Sequence, residues 1–181
     1  EGISNTVLSA GIAVGAYGIS FGAVSVAAGL KVGQTQALSV LMFTGASQFA
    51  FVGVIAAGGG VLAAVLTAWL LGLRNGLYAL HLGTVLSARD RAGERLTGWR
   101  RLGAAHFTID ESTAMAMAYE PDRDATRRAF WATGWSVFVL WNLGTLLGAL
   151  GAASLSDPRV LGLDAAIPAG FLALLWPRLV D

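Results

Sequence analysis

The chain reads as an all-α, polytopic helical integral membrane protein, and two observations carry that reading. Of its 181 residues, 55% are hydrophobic and only 13% charged, whereas soluble domains carry about 25% charged residues. The charges are also segregated: none falls from Gly2 to Leu30, from Val32 to Leu73, or from Ala129 to Ser156. Each of these runs meets or exceeds the roughly 20 residues a spanning helix needs. A barrel would alternate apolar and polar residues over strands of about ten, and these uninterrupted runs do not. Five to six apolar segments are expected, some of them broken or re-entrant.

Segment one, Asn5 to Leu30, carries Gly11/Gly15 and Gly18/Gly22 at GxxxG spacing. Such glycines either let helices approach closely or mark an unwinding near Gly18 that opens backbone to a cavity. The segment is too long for a signal-peptide core and lacks a basic start, so it reads as a span. Segment two, Gln36 to Ala57, holds the small and polar run Thr44-Gly45-Ala46-Ser47-Gln48. Gln48 has no favourable place to face lipid, and its small neighbours leave room for a ligand or for an interrupted helix with free amide groups. Gly58-Gly59-Gly60 is a turn.

Segment three, Val61 to Leu86, places Arg74, Tyr78 and His81 on one helical face. An arginine at that depth requires an acid, a carbonyl-lined cavity or water. The stretch Ala88 to Arg101 has five arginines against two acids and is expected in the cytoplasm by the positive-inside rule. Segment four, Leu102 to Tyr119, carries His106, Asp110 and Glu111 near its middle, where ionised groups are expensive and point to function. Read as one helix, it puts His106 and Asp110 on one face and Glu111 about 100° away, so that one carboxylate pairs with Arg74 while the other titrates. If it spans, Glu120 to Arg128 lies on the opposite side. If segments one to three also each cross once, the N-terminus is outside; a re-entrant segment reverses that.

Segment five, Ala129 to Ala153, opens on Trp131 and Trp135, expected as interfacial anchors, and later brings Asn142 and the close-packing pair Gly144/Gly148 into the bilayer. Segment six, Val160 to Trp176, contains Asp164 and Pro168 and looks re-entrant or incomplete. The candidate substrate-binding residues are Gly45, Ser47, Gln48, Arg74 and Asn142; the candidate proton-coupling residues are Asp110 and Glu111.

Several function classes fall away. A net charge of +1 with no basic, aromatic-studded cluster gives no sign of a nucleic-acid partner. Zero cysteines exclude disulfides, thiolate metal sites and cysteine nucleophiles. Ser47 or Ser112 with His106 has no G-x-S-x-G context to make an enzyme, and His/Asp/Glu without a second cluster assigns no metal. No cofactor is expected. A small polar or zwitterionic solute with an apolar part fits the mixture of amide, arginine, carboxylate and aliphatic residues. A structural subunit that does not transport is the alternative.

Phe43-Thr44-Gly45-Ala46-Ser47-Gln48-Phe49, Leu73-Arg74 with Tyr78, Ile109-Asp110-Glu111, Trp141-Asn142-Leu143-Gly144-Thr145 and Gly162-Leu163-Asp164-Ala165-Ala166-Ile167-Pro168-Ala169-Gly170-Phe171 together resemble the AzlC-type branched-chain amino acid permeases. Gly72 and Asn75 depart from the family pattern, which has Asn and His at these places. The resemblance implies an exporter of branched-chain and related apolar amino acids in the bacterial inner membrane, working with a small AzlD-type membrane subunit. It also implies a further C-terminal segment, so that residues 1–181 form a single transmembrane domain lacking it.

Overall fold

The computed structural model describes residues 2–86 and 97–155, and every element within them is helical. These are α1 (Gly2–Ala27), α2 (Val32–Leu41), α3 (Gly45–Ala56), α4 (Val61–Leu86), α5 (Gly98–His106), α6 (Asp110–Met117) and α7 (Arg123–Ala153). Three of them, α1, α4 and α7, are long and apolar enough to cross a membrane. Segment six and most of the arginine-rich stretch lie outside the described residues.

The centre of the fold is the α1–α7 pair. α1 is continuous through Gly18, so its glycines serve packing and do not unwind the helix. Gly11 lies beside Ser136 and Leu140, Gly18 against the backbone of Trp141, and Gly22 against Thr145 and Ala149, while Gly144 and Gly148 face Gly15 and Ile19. Residue numbers rise together along both helices, so they run parallel. A Cβ on Gly18 would stand 2.6 Å from the Trp141 carbonyl oxygen. Lipid tails compete fully with apolar side chains for helix surface, so close backbone packing supplies the association that hydrophobicity cannot.

α4 runs antiparallel to α7. Arg127, at the start of α7, donates to the carbonyl of Leu86 at the end of α4 (3.0 Å). Arg74, twelve residues earlier in α4, reaches Asp110 at the depth of Val137 and Trp141. Leu62, Leu70, Leu77 and Leu80 lie exposed along α4, as lipid-facing positions should.

Segment four is not one crossing helix. It breaks at Phe107 to Ile109, where the Thr108 hydroxyl donates back to the Ala104 carbonyl (2.8 Å) and Ile109 is extended. α5 comes to Trp131 through Gly103, Phe107 packs on Trp135 and Phe138, and Ile109, Asp110 and Glu111 share a cavity with Val137 and Trp141. α6 then returns along the first half of α7 to the turn that leads into that helix. Gly98 lies within about 8 Å of Gly103 along the α5 axis, too little to reach the far end of α7. Both ends of segment four are therefore on one side, and the expectation that Glu120 to Arg128 faces the other compartment is overturned.

Segment two behaves the same way from the opposite side. α1 ends and α4 begins near the C-terminal end of α7, so the chain between them must return to the side it left. It does so as α2 and α3, broken at Met42 to Thr44. The tips of the two hairpins meet: the Phe43 ring lies 5.9 Å from Phe107, 5.7 Å from His106 and 5.0 Å from Phe138. Arg100, Arg101, Arg123, Arg127 and Arg128 all belong to one face. The start of α1 lies on that face too, the outcome a re-entrant segment was expected to produce.

Candidate functional site

Where the hairpin tips meet, two half-helices begin inside the fold. Thr44 is the N-cap of α3 and Ile109 the N-cap of α6, and both are extended. A cavity of about 70 Å³ lies between these starts, lined by Thr44, Gly45 and Ala46 from one hairpin, Ile109, Asp110 and Glu111 from the other, and Val137 and Trp141 of α7. A second, mainly apolar pocket of about 370 Å³ flanks the same break, with Met42, Thr44 and Ser47 facing Ala68, Trp69, Gly72 and Leu73 of α4. Thr44 lines both, so polar and apolar compartments adjoin at one residue.

The breaks leave backbone groups without helical partners, and side chains satisfy most of them. At the end of α2, the Gln48 amide nitrogen donates to the carbonyls of Met42 (2.6 Å) and Ser39 (3.3 Å). At the second break, Ser112 Oγ accepts from the Ile109 amide (3.1 Å) and donates to the Phe107 carbonyl. The start of α3 differs. Neither N-cap residue makes a side-chain capping bond, but no acid stands in the first turn of α3, whereas Asp110 and Glu111 occupy the first turn of α6. Carboxylates at a helix N-terminus are favoured by the positive end of the macrodipole.

The charges come together as the sequence suggests in one respect. Arg74 Nη2 donates to Asp110 Oδ2 at 2.6 Å, with 38% and 46% of the two side chains exposed. Arg74 thus has its acid, and Glu111 is the carboxylate left beside the cavity. His106 closes α5 and packs against Phe43, Phe107 and Phe138, so it shares no helix face with Asp110. His81, seven residues on from Arg74, meets Glu120 at 3.2 Å.

Of the candidate substrate-binding residues, Gly45 lines the small cavity and Ser47 the apolar pocket. The Ser47 hydroxyl is buried without a partner. Gln48 is fully buried, with its donors committed to α2 and its oxygen unpartnered. Asn142 accepts from Gln36 (3.1 Å) and donates to the Phe138 carbonyl (2.8 Å), tying α2 to α7. Arg74 reaches the site through Asp110. Trp131 and Trp135, expected as membrane anchors, also pack on Phe107 at 5.9 and 4.7 Å.

Sequence reasoning missed Trp141, 5% exposed, whose indole Nε1 has no partner and whose ring lines the small cavity. It also passed over a faint signal: Phe-Thr stands at both breaks, as Phe43-Thr44 and Phe107-Thr108. Among the described residues, no group of three or more His, Asp or Glu is placed to hold a metal ion. The AzlC protein family matches residues 9–155 of the chain. No curated protein and no solved structure matches it.

Proposed function

We propose, from the premise that the chain belongs to the AzlC family, a membrane-transport family associated with branched-chain amino acids, that it exports branched-chain and related apolar amino acids as a proton-coupled secondary transporter of the bacterial inner membrane. The observation that carries the reading is the meeting of two broken helices at mid-depth. Broken half-helices at that depth are tolerated where they line a cavity, and they are a recurrent way to build a transporter's substrate site. Gly45, Ser47, Gln48, Arg74 and Asn142 form or support that site. The pocket of about 370 Å³ falls within the range that small-molecule sites occupy, about 300–1,000 Å³.

Asp110 or Glu111 carries the coupling proton. A proton on Asp110 removes the charge that holds Arg74, loosening α4 from the hairpin tips, and a proton on Glu111 removes the free charge beside the cavity. A small AzlD-type subunit is the partner in this reading, and transport requires no cofactor.

The test is efflux of labelled leucine or valine from proteoliposomes under an imposed proton gradient, with and without the small subunit. Gradient-driven efflux in the wild type is expected to be lost in Asp110→Asn or Glu111→Gln, with leucine binding retained in Asp110→Asn. Wild-type rates in both variants would refute proton coupling at this pair. No efflux from folded, partner-bound protein would refute the transport reading.

A further inference from the structure

We infer that the fold is an inverted repeat with one aromatic gate in each half, and that Phe107 holds its seat on α7 while the matching seat for Phe43 on α4 stands open. The repeat relates α2–α3–α4 to α5–α6–α7, and each half is a short helix, a break, a second short helix and a long apolar helix. Two sequence marks recur in it. Phe-Thr stands at both breaks, as Phe43-Thr44 and Phe107-Thr108, and W-x-x-G stands on both long helices, as Trp69-Leu70-Leu71-Gly72 and Trp131-Ala132-Thr133-Gly134. Trp69 follows the first residue of α4 by eight positions, and Trp131 follows the first residue of α7 by the same eight. α4 and α7 run antiparallel and the two hairpins enter from opposite faces, the arrangement of repeats related by a two-fold axis in the membrane plane.

The halves differ in what fills the notch at the W-x-x-G glycine. On α7 it is occupied: a Cβ on Gly134 would stand 3.1 to 3.3 Å from three carbons of Phe107, whose ring lies 5.9 Å from Trp131 and 4.7 Å from Trp135. On α4 it is not. A Cβ on Gly72 would meet only Ser47 Oγ, at 3.6 Å, and Trp69, Gly72 and Leu73 line the pocket of about 370 Å³ instead. Phe43 leans away from that pocket onto Phe107 (5.9 Å) and Phe138 (5.0 Å). A cavity of about 150 Å³ accepts a benzene ring, so the open notch has room for the Phe43 ring. Because the two phenylalanines touch, a shift of the hairpin tips toward α4 seats Phe43 on Gly72 beside Trp69 and withdraws Phe107 from Gly134. One pocket closes as its counterpart beside α7 opens. Resting on the transport reading, this exchange moves the opening of the site from one face of the membrane to the other and removes the apolar pocket from the bound solute.

Cysteine pairs test this in a chain that has no cysteine of its own. A Cβ on Gly134 would lie 3.2 Å from the Phe107 Cβ, close to the separation of about 3.5–4.5 Å that a disulfide spans, so Phe107→Cys/Gly134→Cys is expected to oxidise readily. No atom of Phe43 lies within 4 Å of a Cβ on Gly72, yet Phe43→Cys/Gly72→Cys is expected to form its bond as well, more slowly, because the second state brings the pair together. Either bond should abolish leucine efflux from proteoliposomes, and reduction should restore it. A second measurement keeps both phenylalanines: spin labels on Leu41→Cys and Leu70→Cys, both at exposed positions, should report two distances between the first hairpin and α4. The shorter one should grow in Gly134→Ala, whose Cβ would crowd Phe107 at 3.1 Å. If the folded Phe43→Cys/Gly72→Cys variant does not oxidise, if efflux persists with its bond intact, or if the labels give one unchanged distance in both backgrounds, the gate is overturned and the transport reading stands. If both bonds form but the wild type releases no branched-chain amino acid, the exchange stands and the transport reading falls.

Discussion

Gly18→Ala tests whether the α1–α7 contact is the rigid part of the molecule. The added Cβ would lie 2.6 Å from the Trp141 carbonyl oxygen and 3.2 Å from its Cα, and ordinary contact begins near 3.4 Å. The obstacle is backbone of an adjacent helix and not the end of a flexible side chain, so the helices must separate by several tenths of an ångström along their interface. Overpacking of this kind costs about 1–3 kcal/mol. The control is Gly151→Ala in the last turn of α7, where an added Cβ meets nothing within 4 Å; replacing the glycine there should be neutral or stabilising by up to about 1 kcal/mol. Both substitutions add one methyl group to a membrane helix, and the propensity gain is if anything larger at Gly18, inside its helix. Reversible unfolding in mixed micelles should therefore place Gly18→Ala at least about 1 kcal/mol below Gly151→Ala. Because Trp141 lines the small cavity, Gly18→Ala should also weaken leucine binding. Equal stability of the two variants would refute the backbone-contact account.

Two further outcomes follow from the same geometry. Gln48→Leu removes the donor that serves the Ser39 carbonyl and that shares the Met42 carbonyl with the Thr44 amide, and a thermal unfolding measurement should show a loss of about 1–3 kcal/mol for the one buried acceptor left unpaired; wild-type stability would mean that Gln48 does not tether the two half-helices. The chain has no cysteine, so single-cysteine variants report sidedness directly: Trp99→Cys and Glu120→Cys should react with an impermeant thiol reagent from one side, and Gly58→Cys from the other. Labelling of Trp99→Cys and Glu120→Cys from opposite sides would restore a crossing segment four.

Much of the helical framework is legible in residue order. The charge-free runs give the all-α membrane class, the boundaries of α4 coincide with the predicted segment three, and the GxxxG spacing in segment one anticipates its contact with Gly144 and Gly148. The pairing of Arg74 with a carboxylate of segment four follows from the cost of leaving either alone in a bilayer. The first break is visible because Thr44 to Gln48 is small and polar. The second is not: Phe107, Thr108 and Ile109 include neither glycine nor proline, and the helix is ended by a threonine hydroxyl that competes for backbone. Apolar length also carries no direction. Segment four has enough apolar residues to cross, and only its contacts with Trp131 and Trp135 at one end and with the small cavity at the other show that it turns back.

The same contacts divide the molecule by how its parts are held. α1 and α7 touch through backbone, which leaves no freedom for one to slide on the other without a clash at Gly18 or Gly148. α4 meets the second hairpin and the start of α7 through buried Leu82 and Leu86 and through polar groups spaced down its length: Arg74 with Asp110, His81 with Glu120, and the Leu86 carbonyl with Arg127. Backbone interlock is insensitive to protonation, whereas an ion pair of 2.6 Å depends on the charge of Asp110. A transport cycle that opens the site to alternate sides therefore has its fixed frame in α1–α7 and its variable contact in α4, and the larger pocket lies between α4 and the first hairpin. Substitutions in the glycine interface should then lower stability and flux together. Asp110→Asn should lower flux more than stability, and the separation of those two effects is what distinguishes a coupling pair from a structural lock.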